Sequence, residues 1–259
     1  MNNKEVRKIM KKLFIFLYII AFVTLSFQQK PPIDSTESLV DAMHKRYQGK
    51  AAKSVTFTQY NTLYQADTIS GKSIWYEAIV YPDKFRIDFG ELKDGNAVIF
   101  ARDSVFNFKE GKNTRKAPFK NNLILLAGGM NFMSKEKVLE ELKNAGYQID
   151  KFREDEYEGR KVYVIGAEKG DLATPQFWID QKNFYLVRTF EKMPNGDVRE
   201  ARFSKHIRSG KGWIETEVLF LVNGKKTQLE EYKNIKSNVS LDLRIFDAEY
   251  FGKVHWLNR

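Results

Sequence analysis

The chain has 259 residues, with 43 lysines and arginines against 33 aspartates and glutamates, three histidines and no cysteine. Without cysteine there is no disulfide frame, no thiol chemistry and no thiol for lipid attachment. Basic and acidic residues are interspersed rather than gathered into a Lys/Arg-rich arm, which sets nucleic acid aside as a partner.

At the amino terminus, Lys4, Arg7, Lys8, Lys11 and Lys12 form a basic head, and Leu13 to Phe27 follow as 15 residues without charge. A membrane span needs roughly 18–20 apolar residues, so this run is short for one. Thr24 and Ser26 supply small residues at −3 and −1, and the stretch predicts an export signal over 1–26, cleaved after Ser26. A buried core helix and an uncleaved anchor are the alternatives. Loss of five basic residues and Glu5 takes the formal charge from +10 to +6. Residues 27–259 are then expected as one periplasmic domain, long enough to bury a core without staples.

"DSTESLVDAMHKRYQG" reads as a helix. Asp34 and Glu37 have capping-box spacing, Leu39, Val40, Met43 and Tyr47 share a face, and Gly49 stops it. The period then changes to two. Val55, Phe57 and Leu63 alternate with threonines, and strands follow over 71–81, 84–89, 97–101 and 105–109. The next segment, 121–146, has helical length. Leu123 to Leu126 precede the hinge-like pair Gly128-Gly129, and Ser134 caps a second helix that carries Val138, Leu139 and Leu142 on one face. Strands resume over 161–167, 176–180, 185–192, 198–207, 213–222 and 227–235. Glu110-Gly111, Glu158-Gly159, Asn195-Gly196 and Asn223-Gly224 mark tight turns between them. About eleven strands joined by short turns predict an antiparallel meander in an α+β chain.

The chemistry of an enzyme is missing from this pattern. His44, His206 and His255 stand apart from one another and from any i+2 or i+4 acidic partner, so no metal pair is expected. There is no Gly-x-Ser-x-Gly, no HExxH and no glycine-rich phosphate loop, so neither an activity nor a cofactor is expected. The acidic run "REDEYEGR" falls at a hairpin, where carboxylates are solvated.

What remains is an aromatic face. In "IVYPDKFRIDF", Phe85, Ile87 and Phe89 alternate with Lys84, Arg86 and Asp88. Two packings fit such a face and the apolar 121–145 helices. They interdigitate into an ordinary core, or the helices form a lid over a hollow that the curling sheet leaves open.

"SVTFTQY", followed by a strand ending in "YPDKFRIDF", resembles the LolA type of periplasmic lipoprotein carrier. "DGNAVIFARDSVFNFKEG" is similar to the family's next hairpin and "APFKNNLILLAGG" to its lid helix. "QFWIDQKNFYLVRTFEKMPNGDVREARFS" and "LDLRIFD" resemble its second half and closing strand. The likeness spreads over residues 35–247. It implies an incomplete antiparallel barrel of eleven strands with helices on the concave face, and the binding of lipoprotein acyl chains, or another lipidated ligand, for sorting to the outer membrane. Transient inner- and outer-membrane partner proteins and a monomeric carrier follow from it. The family's cavity positions carry over to Phe85 and Ile87, with Phe89 on the same face. Trp75, Ile79 and Tyr81 join them by strand parity, with Phe57 beside them, and Leu125, Leu126 and Met130 on the lid side. The family places an arginine before the corner proline as a latch, where this chain has Tyr81. The same fold also serves envelope sensors and scaffolds, which is the alternative reading.

Overall fold

The computed structural model describes residues 2, 5 and 32–257, and the expected export signal lies outside the described residues apart from positions 2 and 5. The architecture below concerns the unit beginning at Asp34.

Helix α1 (Thr36–Tyr47) buries Leu39, Val40, Met43 and Tyr47, the four residues that the periodicity puts on one face. Its cap lies one residue later than the Asp34/Glu37 spacing suggests. Ser35 accepts from the Ser38 backbone and Ser38 answers with its own side chain, so a serine rather than a glutamate completes the box.

Thirteen strands form one antiparallel sheet, and its chain order explains the whole arrangement. β1 (Ser54–Gln65) lies in the middle. β2 (Thr68–Val80), β3 (Lys84–Phe89), β4 (Ala97–Ala101), β5 (Ser104–Lys109) and β6 (Lys112–Pro118) are laid outward from it in sequence. The second half starts at the far edge with β7 (Phe152–Tyr157). It returns inward through β8 (Arg160–Ile165), β9 (Gln176–Asp180), β10 (Leu186–Lys192), β11 (Val198–Ser204), β14 (Glu217–Val222) and β15 (Lys225–Ser237). β15 then pairs with β1 and joins the halves, while β12 (Ile207–Ser209) and β13 (Gly212–Ile214) make a separate hairpin. The edges β6 and β7 do not meet, so the barrel is incomplete. Because consecutive strands β6 and β7 occupy opposite edges, the chain between them has to cross the sheet. That crossing consists of α2 (Asn122–Ala127), a 3₁₀ turn at Gly129–Phe132, and α3 (Lys135–Asn144). Asn121 and Ser134 cap the two helices, and Lys120 donates to both carboxylate oxygens of Glu141, at 2.8 Å each, tying the approach to α2 to α3.

The sheet exceeds the expected eleven strands because β6 and β7 carry no alternation to read. β6, "KNTRKAP", is exposed at six of seven positions, and as an edge strand it needs no apolar face. The stretch "LDLRIFD", expected as the closing strand, is instead a 3₁₀ turn over Leu243–Phe246. It belongs to a C-terminal segment that covers the convex face of β2 to β5, where Ile245 and Phe246 pack with Ala78, Ala97, Ile99 and Phe108. Arg86 faces this side and is only 2% exposed. It donates to both oxygens of Asp88 at 2.8 and 2.9 Å and to the Ile245 carbonyl at 3.1 Å, with the rings of Phe251 and Trp256 against its guanidinium. Burial alone would raise the Asp88 carboxyl. The His255 ring 3.4 Å away and the two hydrogen bonds from Arg86 reverse this and hold it below its ordinary value.

Candidate functional site: an apolar cavity under a helical lid

Strand parity assembles the concave wall. Phe57 and Gln59 on β1, Trp75, Glu77 and Ile79 on β2, and Phe85 and Ile87 on β3 alternate with residues that face away. Phe100 on β4, Phe203 on β11, Val218 and Phe220 on β14, and Glu230 and Tyr232 on β15 continue it. Leu123, Ile124 and Ala127 of α2 close the top, and the space left between lid and sheet is about 190 Å³. Its aromatic walls are braced in pairs: Phe57 stacks on Tyr232 at 4.3 Å and Phe85 on Phe100 at 5.7 Å.

Of the residues singled out from sequence, Phe57, Trp75, Ile79, Tyr81, Phe85 and Ile87 line this cavity. Phe89 is on the same face but beyond it, edge-on to Trp75 at 4.9 Å. The lid residues need correcting. Leu125 lines a neighbouring groove of about 330 Å³ with Pro82, Phe119 and Met133. Leu126 and Met130 face α1 beside Met43 and Tyr47. A six-residue helix presents about 100° per residue, so Leu123, Ile124 and Ala127 meet the sheet and their neighbours in sequence turn elsewhere. The cavity and the groove share Phe85, Phe100, Asn121 and Ile124 as their common wall.

The lid is seated on the Tyr81–Pro82 corner, which is cis. Gly128 lies flat on the Tyr81 ring, so that a Cβ there would come within 2.9 Å of Tyr81 Cζ. Gly129 does the same against the Pro82 carbonyl, where a Cβ would stand 3.1 Å from the oxygen. The glycine pair thus allows close approach. Phe132 then stacks parallel on Tyr81 at 5.5 Å, and His44 on α1 holds the Met130 carbonyl at 2.8 Å. The Tyr81 hydroxyl makes no hydrogen bond among the described residues. The contact at the latch position is one of surfaces.

Sequence reading passed over the most unusual part of the wall. Glu77, Glu215 and Glu230 all face this apolar space, and no lysine, arginine or histidine among the described residues lines it. Burial pushes Glu215 and Glu230 up to about 7, although Glu230 accepts from Tyr232 Oη and Gln228 Nε2 at 2.8 Å each. Glu77, 3% exposed, is pushed well above its ordinary value, by burial first and then by Glu230 and Glu215. Its carboxylate has no hydrogen bond or ion pair among the described residues. A signal was present. Glu77 is the one charge in "IWYEAIVY" and is in phase with Trp75 and Ile79, as Glu230 is with Tyr232. His206 stacks on Tyr185 at 3.7 Å, and burial lowers its imidazole to about 4.

No protein-family model and no curated protein matches the sequence. Solved structures do match. One, named as an outer membrane lipoprotein-sorting domain from Vibrio parahaemolyticus, is 14% identical with a TM-score of 0.56, over 84% of this chain and 97% of that one. A DUF1329 family protein from Desulfovibrio piger is 11% identical with a TM-score of 0.56, over 83% and 97%. A LolA superfamily protein from Nitrosomonas europaea is 11% identical with a TM-score of 0.52, over 84% and 99%. Likeness at such identities speaks for the architecture. The chain has the LolA-like fold, an open antiparallel half-barrel with a helical cover.

Proposed function

We propose that this half-barrel is a carrier of acylated ligands in the cell envelope. It takes the acyl chains of lipoproteins, or of another lipid, into its concave cavity, and passes them as an exported monomer between transient partners at the inner and outer membranes. The observation that carries this reading is the unfilled space of about 190 Å³ between α2 and the aromatic wall. Protein interiors leave few voids larger than a water molecule, and an apolar hole of about 150 Å³ already takes up benzene. Pockets for whole drug-sized ligands run to roughly 300–1,000 Å³. A complete acyl chain therefore needs α2 to withdraw, or Phe85, Phe100 and Ile124 to part and merge the cavity with its neighbouring groove.

An enzymatic reading is weaker. Acid–base chemistry uses carboxyl groups whose environments push them apart, and the three in this cavity are all pushed in one direction. The test is lipid analysis of the protein purified from its own envelope. A carrier brings an acylated molecule in roughly stoichiometric amount. Lipid-free protein that arrives with a stable protein partner would overturn the proposal in favour of a sensor or scaffold.

A further inference from the structure

A cavity meant only for hydrocarbon has no use for three acids. Glu77 comes from β2, Glu230 from β15, and Glu215 from the connection between β13 and β14. They are exposed by 3%, 9% and 9%. Among the described residues Glu215 has only its own backbone N–H, Glu230 is held by neutral donors, and Glu77 is held by nothing. An acid buried without a cationic partner is expensive, because it either stays charged in an apolar space or holds its proton against bulk pH, and the fold could have avoided it with a leucine. Among the described residues no acidic or histidine group is gathered closely enough to hold a metal ion, so the trio is not a cation-chelating site.

We infer that the cavity is built for an amphiphile whose polar end is an ammonium group, seated among Glu77, Glu215 and Glu230 with its chain along the aromatic wall. The inference rests on the cavity being the ligand site. The wall suits such a nitrogen twice over. The carboxylates supply the countercharge, and the rings of Trp75, Phe57 and Tyr232, which line the same space, present the faces to which ammonium groups are drawn. The site also rejects the common anionic heads. A phosphate or a free carboxylate would find no base among the lining residues and would set its charge beside whichever of the three acids is ionised, in a medium that screens poorly. An amine-bearing or aminoacylated lipid fits, and a fatty acid does not.

The test compares four probes of one chain length at pH 7.5, by displacement of a neutral fluorescent reporter: dodecylamine, dodecyltrimethylammonium, dodecanol and dodecanoate. We expect dodecylamine to bind at least about tenfold more tightly than dodecanol, and dodecanoate most weakly. In Glu215→Gln the amine-to-alcohol ratio should fall several-fold, because that carboxyl, lifted to about 7, is largely ionised at this pH. Glu230→Gln serves as a second variant should Glu215→Gln fold poorly. Binding of the trimethylammonium probe distinguishes the sources of the nitrogen: parity with dodecylamine means that ring faces dominate, and preference for dodecylamine means that hydrogen bonds to carboxylate do. Either supports the inference. Dodecanol or dodecanoate binding as tightly as the amine would overturn it and leave the carrier reading intact. No binding by any probe would overturn both.

Discussion

Replacing Glu215 with glutamine removes a charge and little else, so its consequences follow closely from the structure. Burial lifts this carboxyl from 4.5 to about 7. Between those values the folded chain keeps a proton that the unfolded chain has released, so stability falls as pH rises through the window. At about 1.4 kcal/mol for each tenfold change in proton affinity, that displacement corresponds to roughly 3 kcal/mol. Glu215→Gln should therefore match the parent near pH 4.5 and exceed it by about 3 kcal/mol at pH 8. For a domain of this size that is a rise of roughly 6–12 °C in Tm. His206 runs the other way. Its imidazole is lowered from 6.5 to about 4, which makes stability rise with pH across that range, but both proteins contain it and it cancels in the difference. The acids held low by ion pairs, such as Asp88 and Glu200, act below their ordinary values and also cancel. Thermal melts of the two proteins at half-unit steps from pH 4.5 to 8 measure the effect. A difference that does not change with pH, or a variant less stable than the parent at pH 8, would refute the claim that Glu215 sits uncompensated in an apolar space.

Other outcomes follow from the lid and the convex face. Phe85→Glu adds a fourth acid to the cavity wall and should lose binding of a fluorescent fatty alcohol while still melting cooperatively near pH 4.5, where a carboxyl in this space keeps its proton; collapse of the melting transition at that pH would speak for a packed core instead. Gly128→Ala forces a methyl group against the Tyr81 ring and should accelerate release of a bound acyl probe in stopped flow, whereas an unchanged rate would mean that the lid tolerates the shift. Tyr81→Phe should alter that rate by less than about tenfold, since the hydroxyl it removes has no partner, and Ile124→Ala should alter it more. Asp88→Asn leaves Arg86 buried without its countercharge and should cost roughly 3–5 kcal/mol in chemical denaturation; a loss under about 1 kcal/mol would show that the carbonyls and rings around Arg86 suffice.

Much of this arrangement is legible from alternation. "FRIDF" separates Phe85 and Ile87 from Arg86 and Asp88 onto opposite faces, and the sheet keeps that division. The α1 face, the Ser134 cap and the crossing helices follow from spacing of the same kind. β6 and β7 escape it because edge strands need no apolar face, and β12 and β13 because three residues carry no period. The lid direction escapes for another reason. In "LILLA" every side chain is apolar, so the face that meets the sheet is fixed by the Tyr81–Gly128 contact, which joins residues far apart in sequence. The convex cover is hidden in a C-terminal stretch of mixed polarity whose value lies in shielding Ile99 and Arg86. Glu77 and Glu230 stood in phase with the aromatic residues. They were passed over because a glutamate in a strand ordinarily marks the solvent face, and only three-dimensional pairing sets three of them against one space.

The central claim is that an apolar chain occupies the space between α2 and the sheet. A twelve-carbon amine with a photoactivated group at its chain end, crosslinked to the full chain and mapped by peptide mass spectrometry, tests it most directly. The account predicts labelling at Phe57, Trp75, Phe85, Ile124 and Phe220, competed by unlabelled amine. Labelling confined to the convex side around Phe251 and Trp256, or to Leu126 and Met130 beside α1, would contradict it.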